Sequence, residues 1–195
     1  GMSALARYFK AKGKTVSGYD RTQTTLTIEL KSEGIEVNYV DDVKNIPSHL
    51  TTDNASQSLV IFTPAIPKDS VQYNYLLKSG VNMVKRSVVL GWIAEQSFTI
   101  AVAGTHGKTT TSSIITHLLK QADVNCTAFL GGISINYDSN LVSGNYDDEN
   151  NQPKVVVEAD EFDRSFLTLH PDIAVITSMD ADHVDIYGDK NHLEE

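Results

Sequence analysis

Short apolar runs alternate along this chain with amphipathic stretches in which apolar residues recur three or four positions apart. Uninterrupted runs are typical of strands in a parallel sheet, and the recurrence is typical of helices packed against one. We predict strands at residues 15–19, 35–40, 59–62, 81–85, 98–103, 127–130, 155–157 and 173–176. We predict helices at residues 4–12, 24–32, 70–79, 87–96 and 108–122. This alternation predicts an α/β fold.

The order of these elements indicates two domains. The first helix, Gly13 and a strand that ends at Asp20 form the second half of a Rossmann-type βαβ unit. We therefore expect residues 1–97 to be a Rossmann-like parallel-sheet domain whose first strand and most of whose glycine loop are missing. Several β/α alternations precede Ser97, and a phosphate-binding loop, which normally opens a new domain, follows it. We therefore expect residues 98–195 to form a second α/β domain.

Apolar spacing also predicts which faces are buried. The strands at 155–157 and 173–176 should be buried, and residues 136–152 should form a polar surface loop or hairpin. The strand at 127–130 should end before Gly131 and Gly132. Helix 108–122 should bury a stripe of Ile114, Ile115, Leu118 and Leu119, and helix 87–96 should have Val88, Leu90, Trp92 and Ile93 on or near its apolar side.

Composition narrows the functional classes. The 195 residues are 41% hydrophobic and 21% charged with a net charge of −9, which gives a nucleic-acid role no bulk electrostatic support. The only cysteine, Cys126, has apolar neighbours, so a buried thiol is favoured over a nucleophile. No apolar run approaches the ~20 residues of a membrane span, and no signal-peptide core lies near the start. A cytoplasmic protein is the simplest expectation.

The glycine-punctuated segment after the fifth strand indicates phosphate binding. A strand, a turn and a helix follow in the order that exposes backbone N–H groups at a helix N-terminus. The general P-loop spacing would place a glycine at 102, where the chain has Val102, so that pattern fails. The alternative is an ordinary strand-to-helix turn with incidental glycines. The candidate phosphate-binding residues are Gly104, Thr105, His106, Gly107, Lys108, Thr109 and Thr110.

Acidic clusters follow both late strands. Glu158 is the first residue past its apolar run and is suited to hold Mg²⁺, directly or through water, beside a phosphate loop. The alternative is a solvated acidic turn. After the last strand, His183 is a candidate metal ligand, as are Asp180, Asp182 and Asp185. A two-metal hydrolase is the rival hypothesis, although such an enzyme does not require the lysine-bearing loop.

A proline-flanked segment follows the third predicted strand. Thr63, Pro64, Ala65, Ile66 and Pro67 form a rigid turn at the carboxyl edge of that strand, where open α/β sheets bind ligands. A proline-stiffened connector is an equally acceptable interpretation.

These motifs together resemble the Mur ligases, the ATP-dependent amide-forming enzymes of peptidoglycan precursor synthesis. Residues 104–110 match the shortened loop G-T-x-G-K-[ST]-[ST], which explains why the general spacing fails. Residues 158–161 match E-A-D-E, and residues 182–185 match D-H-x-D. The resemblance implies that Lys108 contacts the ATP phosphates, that Thr109 and Glu158 serve one Mg²⁺, and that His183 serves a second metal site.

Within the family, the chain is most similar to the members that join L-alanine to UDP-N-acetylmuramate through an acyl phosphate. The similarity lies in the start of the chain, in His106 and in residues 158–166. The resemblance implies that Asp20 and residues 63–66 (Thr63, Pro64, Ala65 and Ile66) lie near the uridine nucleotide. It also implies that the P-loop-type α/β ATPase domain is incomplete, that the third domain is absent, and that residues 1–195 alone are inactive. A murein-peptide recycling or folylpolyglutamate-type ligase, and a non-catalytic nucleotide-sugar-binding module, are the alternatives.

Overall fold

In the computed structural model, which describes residues 1–50, 56–146, 150–159 and 166–179, helices and strands alternate as predicted. The helices are α1 (Met2–Ala11), α2 (Thr25–Ser32), α3 (Val71–Ser79), α4 (Arg86–Glu95) and α5 (Lys108–Gln121). The strands are β1 (Ser17–Tyr19), β2 (Glu36–Asn38), β3 (Val60–Phe62), β4 (Met83–Lys85), β5 (Thr99–Ala103), β6 (Cys126–Ser134), β7 (Ser139–Val142), β8 (Lys154–Glu158) and β9 (Ile173–Ile176). This mixed α/β architecture with parallel sheets confirms the predicted fold class.

The elements pack as two compact units, Met2–Val89 and a second one from Leu90 onward that also includes Gly1. The division falls inside α4, so the chain passes from one unit to the other within a helix. The domain boundary near Ser97 stays a prediction. Among the helices of the described residues, none is both long and apolar enough to cross a membrane.

The first unit contains two parallel strand pairs, β1 with β2 and β3 with β4. In the described residues these pairs are separate two-stranded sheets and do not join into one. In the common 3-2-1-4-5-6 order, strand 1 lies between strands 2 and 4. When β1 to β4 are counted as strands 2 to 5, this order places strand 2 beside strand 3 and strand 4 beside strand 5. These are the two pairs observed, β1 with β2 and β3 with β4.

Each strand pair has its own apolar cluster. One cluster contains Leu30, Ile35 and Val37, and the other contains Ile46, Leu76 and Val81. A polar contact connects the loop after β2 to the start of α3: Asp41 accepts hydrogen bonds of 2.8 Å from the backbone N–H groups of both Val71 and Gln72. The first unit therefore depends on hydrogen bonds as well as apolar burial for its cohesion.

The second unit contains a five-stranded sheet in the order β7-β6-β8-β5-β9 within the described residues. The β6–β7 pair is antiparallel, and the other neighbouring pairs are parallel. β6 continues through Gly131 and Gly132 to Ser134, so the prediction that this strand ends before the glycines was wrong. Pairing with β7 provides the continuation and confirms a hairpin, but Asn140, Leu141 and Val142 of β7 are buried, so the prediction of a surface segment was wrong for this strand.

The burial predictions were partly wrong. On α5 the fully buried residues are Ser112 and Thr116, whereas Ile114 and Leu118 are 54% and 62% exposed. Ile115 and Leu119 do pack against the core, on a cluster formed by Ala128, Leu130, Val142 and Val156. On α4, Val89, Leu90 and Ala94 are buried while Trp92 is 43% exposed.

The two late strands also differ in burial. Val155, Val156 and Val157 of β8 are fully buried, as predicted. Ile173 and Ile176 of β9 are exposed, which contradicts the prediction. β8 lies between two strands and β9 at an edge of the described sheet, but edge position alone does not explain the difference, because the other edge strand, β7, buries Asn140, Leu141 and Val142.

Candidate functional site

The loop between β5 and α5 depends on two glycines with positive φ. Gly104 has a φ of 122° and Gly107 a φ of 80°, values that side-chain-bearing residues rarely adopt. Gly107 is the N-cap of α5, and its carbonyl accepts the Thr111 N–H at 2.9 Å. The turn therefore ends directly at a helix N-terminus, where free N–H groups and the helix dipole favour an anion.

Residues after β9 hold this loop from one side. Ser178 accepts the Thr105 N–H through its carbonyl at 3.1 Å and the His106 N–H through its hydroxyl at 3.0 Å. The Thr105 and Ser178 hydroxyls are 2.8 Å apart, and Thr177 donates to the carbonyl of Ala103 at 3.1 Å. A Cβ at Gly104 would lie 2.8 Å from both the nitrogen and the oxygen of Ser178. The loop is therefore fixed in shape by its neighbours as well as by its glycines.

Lys108, the first residue of α5, points back over the loop. Its ammonium donates a hydrogen bond of 2.6 Å to the carbonyl oxygen of Gly104, and its side chain is half-buried. Thr110 is exposed in the same first helical turn. The structure thus brings the loop, the lysine cation and the helix N-terminus together, as the sequence predicted.

Glu158 reaches the same site from the next strand. β8 pairs with β5 in a register that sets Glu158 opposite Val102, and the Ala159 N–H bonds to the Val102 carbonyl at 2.9 Å. The Thr109 hydroxyl donates to Glu158 Oε2 at 2.9 Å. The prediction that the strand ending at Glu158 lies beside the phosphate loop is confirmed.

Two residues that the sequence analysis did not single out complete the surroundings of Glu158. The Ser112 hydroxyl lies 3.0 Å from Oε1, and the Gly131 N–H donates to the same oxygen at 2.6 Å. Ser112 follows Thr109 by three positions and so lies on the same helix face, a spacing that could have identified it. The sequence holds no such signal for Gly131, because β6 and α5 meet only in the folded chain.

The Thr109 and Glu158 oxygens suit Mg²⁺ chemically. Mg²⁺ prefers hydroxyl and carboxylate oxygens, and neighbouring oxygens in its octahedron lie about 2.9 Å apart. Thr109 Oγ1 and Glu158 Oε2 lie 2.9 Å apart in a direct hydrogen bond, so the two oxygens are already adjacent. Within the described residues no group of three or more His, Cys, Asp or Glu side chains could hold a metal.

His183, the predicted ligand of a second metal, lies outside the described residues, as do Asp180, Asp182 and Asp185. Their contribution to a metal site stays a prediction. The strand that precedes them, β9, does pair with β5 on the side opposite β8, with Val175 opposite Val102. The phosphate loop is therefore flanked by the carboxyl ends of both late strands.

The predicted uridine-nucleotide residues lie in the first unit. Asp20 directly follows β1, and its carboxylate accepts the Thr22 N–H at 2.9 Å. Thr63 directly follows β3 and begins a turn, in which the Ile66 N–H donates a 3.3 Å hydrogen bond to the Thr63 carbonyl. Pro64 and Ala65, between them, are exposed. Both positions are at carboxyl ends of parallel strands, but in different strand pairs. No contact in the structure tests their role in substrate binding.

The loop with Lys108 and the Thr109–Glu158 pair beside it form a candidate phosphate and metal site on an α/β fold. Residues 102–195 match the Mur ligase middle domain, and residues 1–98 match the catalytic domain of the Mur ligase family. The chain belongs to the Mur ligase family.

The similarity to curated relatives extends over the whole chain. The chain is 56% identical over 195 residues to the UDP-N-acetylmuramate–L-alanine ligase of Christiangramia forsetii and 53% identical over 194 residues to that of Flavobacterium johnsoniae. The alignments cover 100% of this chain but only 42% and 41% of those proteins. The chain therefore spans about two fifths of the length of these relatives.

Solved structures show the same fold. The UDP-N-acetylmuramate–alanine ligase of Thermotoga maritima is 29% identical with a TM-score of 0.83, covering 98% of this chain and 42% of its own. The UDP-N-acetylmuramate:L-alanyl-γ-D-glutamyl-meso-diaminopimelate ligase from Neisseria meningitides is 25% identical with a TM-score of 0.84, covering 99% of this chain and 61% of its own. The fold alone does not separate these two activities.

Proposed function

We propose that residues 1–195 are part of an ATP-dependent ligase that joins L-alanine to UDP-N-acetylmuramate in peptidoglycan precursor synthesis. The observation that carries the proposal is the Thr109–Glu158 pair, whose oxygens are 2.9 Å apart beside the Lys108 loop. This pair supports an ATP–Mg²⁺ site. The choice of amino acid and sugar nucleotide is supported by the 56% identity to a relative that bears this activity in its name.

The proposed reaction has two chemical steps. A carboxylate oxygen of UDP-N-acetylmuramate bonds to the γ-phosphorus of ATP, while the bond from that phosphorus to the bridging oxygen breaks and releases ADP. The amine of L-alanine then attacks the acyl carbon of the resulting acyl phosphate and loses a proton. Inorganic phosphate leaves with the electron pair of the broken carbon–oxygen bond. Phosphorylation thus converts a poor leaving group into a good one.

The residues of this chain contribute positioning and charge rather than a nucleophile. Lys108 and the N–H groups at the start of α5 hold the phosphate chain of ATP. Thr109 and Glu158 hold Mg²⁺, which when bound neutralises phosphate charge. Because the attacking groups belong to the substrates, no side chain needs to form a covalent intermediate.

The first unit is proposed to bind the sugar nucleotide through Asp20 and residues 63–66. Their position at the carboxyl ends of β1 and β3 supports this assignment, because ligands of open α/β sheets bind at that edge. We further propose a cytoplasmic location, since ATP and UDP-sugars are cytoplasmic metabolites. His183 is proposed as a ligand of a second metal.

The test uses the full-length protein that contains residues 1–195. ADP release is measured with UDP-N-acetylmuramate, ATP and Mg²⁺ plus either L-alanine or the tripeptide L-alanyl-γ-D-glutamyl-meso-diaminopimelate. Faster release with L-alanine, and a product whose mass equals that of the sugar nucleotide plus one alanyl residue, is the expected result. A preference for the tripeptide would overturn the proposal in favour of a recycling ligase. Calorimetric binding of the UDP-sugar without any ATP binding would instead indicate a non-catalytic module.

A further inference from the structure

The carboxylate of Glu158 is held in an asymmetric set of hydrogen bonds. Oε1 lies 3.0 Å from the Ser112 hydroxyl oxygen and 2.6 Å from the Gly131 nitrogen. Oε2 accepts from the Thr109 hydroxyl at 2.9 Å. The two oxygens therefore have different partners: Oε1 is bonded to Ser112 of α5 and Gly131 of β6, and Oε2 to Thr109 in the first turn of α5.

The Ser112 proton has a clear preference between two acceptors. The hydroxyl oxygen lies 3.1 Å from the Thr109 carbonyl and 3.0 Å from Glu158 Oε1, and a serine has one proton to donate. A carboxylate is the stronger acceptor, because hydrogen bonds to an ionised group are about twice as strong as neutral ones. Ser112 is fully buried, so water does not compete for its hydroxyl. The proton therefore lies on the bond to Glu158.

Gly131 can donate to Oε1 because it has no side chain. A Cβ on this residue would lie 2.5 Å from Glu158 Oε2 and 3.1 Å from the Thr109 hydroxyl. The neighbouring Gly132 is different, since its nearest atom would be Thr109 Cγ2 at 3.5 Å, an ordinary contact. The close approach of β6 to the carboxylate is therefore specific to residue 131.

Such a clamp matters because the terminal torsion of a glutamate side chain is broad and roughly two-fold. If no group donated a hydrogen bond to Oε1, the carboxylate could rotate about this torsion. Neither of its oxygens would then stay next to the Thr109 hydroxyl. Groups that orient a ligand in this way commonly change metal affinity when they are removed.

We infer that Ser112 and the Gly131 N–H are positioning groups that hold Glu158 Oε1, so that Oε2 and the Thr109 hydroxyl together face the Mg²⁺ of the ATP complex. This inference rests on the proposed function for its cation and nucleotide. It adds a role for two residues that touch neither ATP nor Mg²⁺ themselves.

The test compares Ser112→Ala with Ser113→Ala, the same chemical change at the next position, and with Ser112→Thr, which keeps the hydroxyl. In the full-length protein, ATP binding is measured by calorimetry over a Mg²⁺ series and with excess chelator, and the melting temperature of each variant is recorded. We expect Ser112→Ala to raise the Mg²⁺ concentration that gives half of the full increase in ATP affinity by about tenfold. Its chelator-treated ATP affinity and melting temperature should stay near those of the parent protein. Ser113→Ala should behave like the parent, and Ser112→Thr should keep the parent's Mg²⁺ requirement, although its added methyl group at a buried position is expected to lower the melting temperature.

Two results would overturn the inference. In the first, ATP binding by the parent protein depends clearly on Mg²⁺ and Ser112→Ala needs the same Mg²⁺ concentration. This result would leave the proposed function unaffected. The other is an equal loss of ATP binding with and without Mg²⁺, together with a lower melting temperature, which would make Ser112 merely structural. If the parent protein itself binds ATP without any dependence on Mg²⁺, the inference and the metal part of the proposed function fail together.

Discussion

The Lys108 ammonium donates a 2.6 Å hydrogen bond to the carbonyl oxygen of Gly104, the residue that opens the phosphate loop. The bond spans the loop from the start of α5 back to the end of β5. A carbonyl is a weaker acceptor for an ammonium than a phosphate oxygen, since charge-assisted bonds between two ions are the stronger class. We therefore expect Lys108 to exchange this carbonyl for ATP phosphate oxygens when nucleotide binds.

Replacement of Lys108 by alanine removes the mobile cation of the loop. In the full-length protein, we expect ADP release with both substrates present to fall by about 10²- to 10³-fold, the usual cost of losing one group that stabilises transition-state charge. Lys120→Ala is the matched control, because Lys120 lies in the last turn of the same helix and donates to the Ser143 carbonyl. Normal ADP release by the Lys108→Ala protein would show that the role assigned to Lys108 is wrong.

The paired glycines of β6 allow a matched steric test. Gly131→Ala introduces a Cβ 2.5 Å from Glu158 Oε2, whereas the Cβ of Gly132→Ala meets its nearest atom at 3.5 Å. We expect Gly131→Ala to weaken Mg²⁺-dependent ATP binding by ~10- to 100-fold, because the carboxylate must move. Gly132→Ala should stay within about twofold of the parent protein. Calorimetric titration with ATP and Mg²⁺ measures both, and equal affinities for the two variants would contradict the account.

The Asp41 contact with α3 predicts a pH-dependent stability. Burial by itself raises the pKa of Asp41, but the hydrogen bonds from Gln72, Val71 and Ser70 outweigh it, so the pKa lies below its ordinary value of 3.8. A lowered pKa means that Asp41 stabilises the fold above pH 3.8 and that this stabilisation is lost as pH falls through the folded-state value. We expect Asp41→Asn to reduce the free energy of unfolding at pH 7 by ~0.3–1 kcal/mol, as for a charge at a helix N-terminus.

Urea unfolding of the parent protein and of Asp41→Asn between pH 7 and pH 3 measures this effect. The difference in stability should be constant from pH 7 to about pH 4 and should shrink below that. Asp69→Asn is a suitable control, because Asp69 is exposed and lies only two residues before α3. A difference that grows as the pH falls would contradict the assigned sign.

The single cysteine should be chemically silent in the folded protein. Cys126 is fully buried, and burial raises the pKa of its thiol, with nearby Lys120 opposing this only in part. Because the thiolate is the reactive form, we expect Ellman's reagent at pH 8 to label Cys126 only after denaturation. Ile135→Cys supplies a positive control, since Ile135 is 98% exposed. Rapid labelling of Cys126 in the native protein, located by peptide mass spectrometry, would show that this thiol is accessible and reactive.

The sequence was sufficient to predict that a glycine-containing turn leads into α5 and that Glu158 lies beside it. Glycine spacing, Lys108 and Thr109 are local signals, and the carboxyl ends of parallel strands meet at one edge of a sheet. Glu158 could therefore be assigned to the loop although the two are some fifty residues apart. The structure adds that the Thr109 hydroxyl and the Glu158 carboxylate are 2.9 Å apart.

The sequence predicted only part of the buried face of α5. Of the predicted apolar stripe, Ile115 and Leu119 pack on the core, but Ile114 and Leu118 are exposed. The helix fully buries Ser112 and Thr116 instead. Both hydroxyls are satisfied inside the fold, since Thr116 bonds to the Ser112 carbonyl at 2.7 Å and Ser112 to Glu158. Small hydroxyl side chains let the helix approach the sheet closely. Hydrophobicity alone cannot detect burial of this kind, because the compensating partner comes from a distant strand.

The proposed function requires that a substrate carboxylate be activated as an acyl phosphate. The most direct test supplies the full-length protein with UDP-N-acetylmuramate labelled with ¹⁸O in its carboxylate, together with ATP, Mg²⁺ and L-alanine, and measures the mass of the released phosphate. We predict that one labelled oxygen appears in each phosphate and that the other stays in the new amide. Unlabelled phosphate formed alongside the amide product would contradict the account.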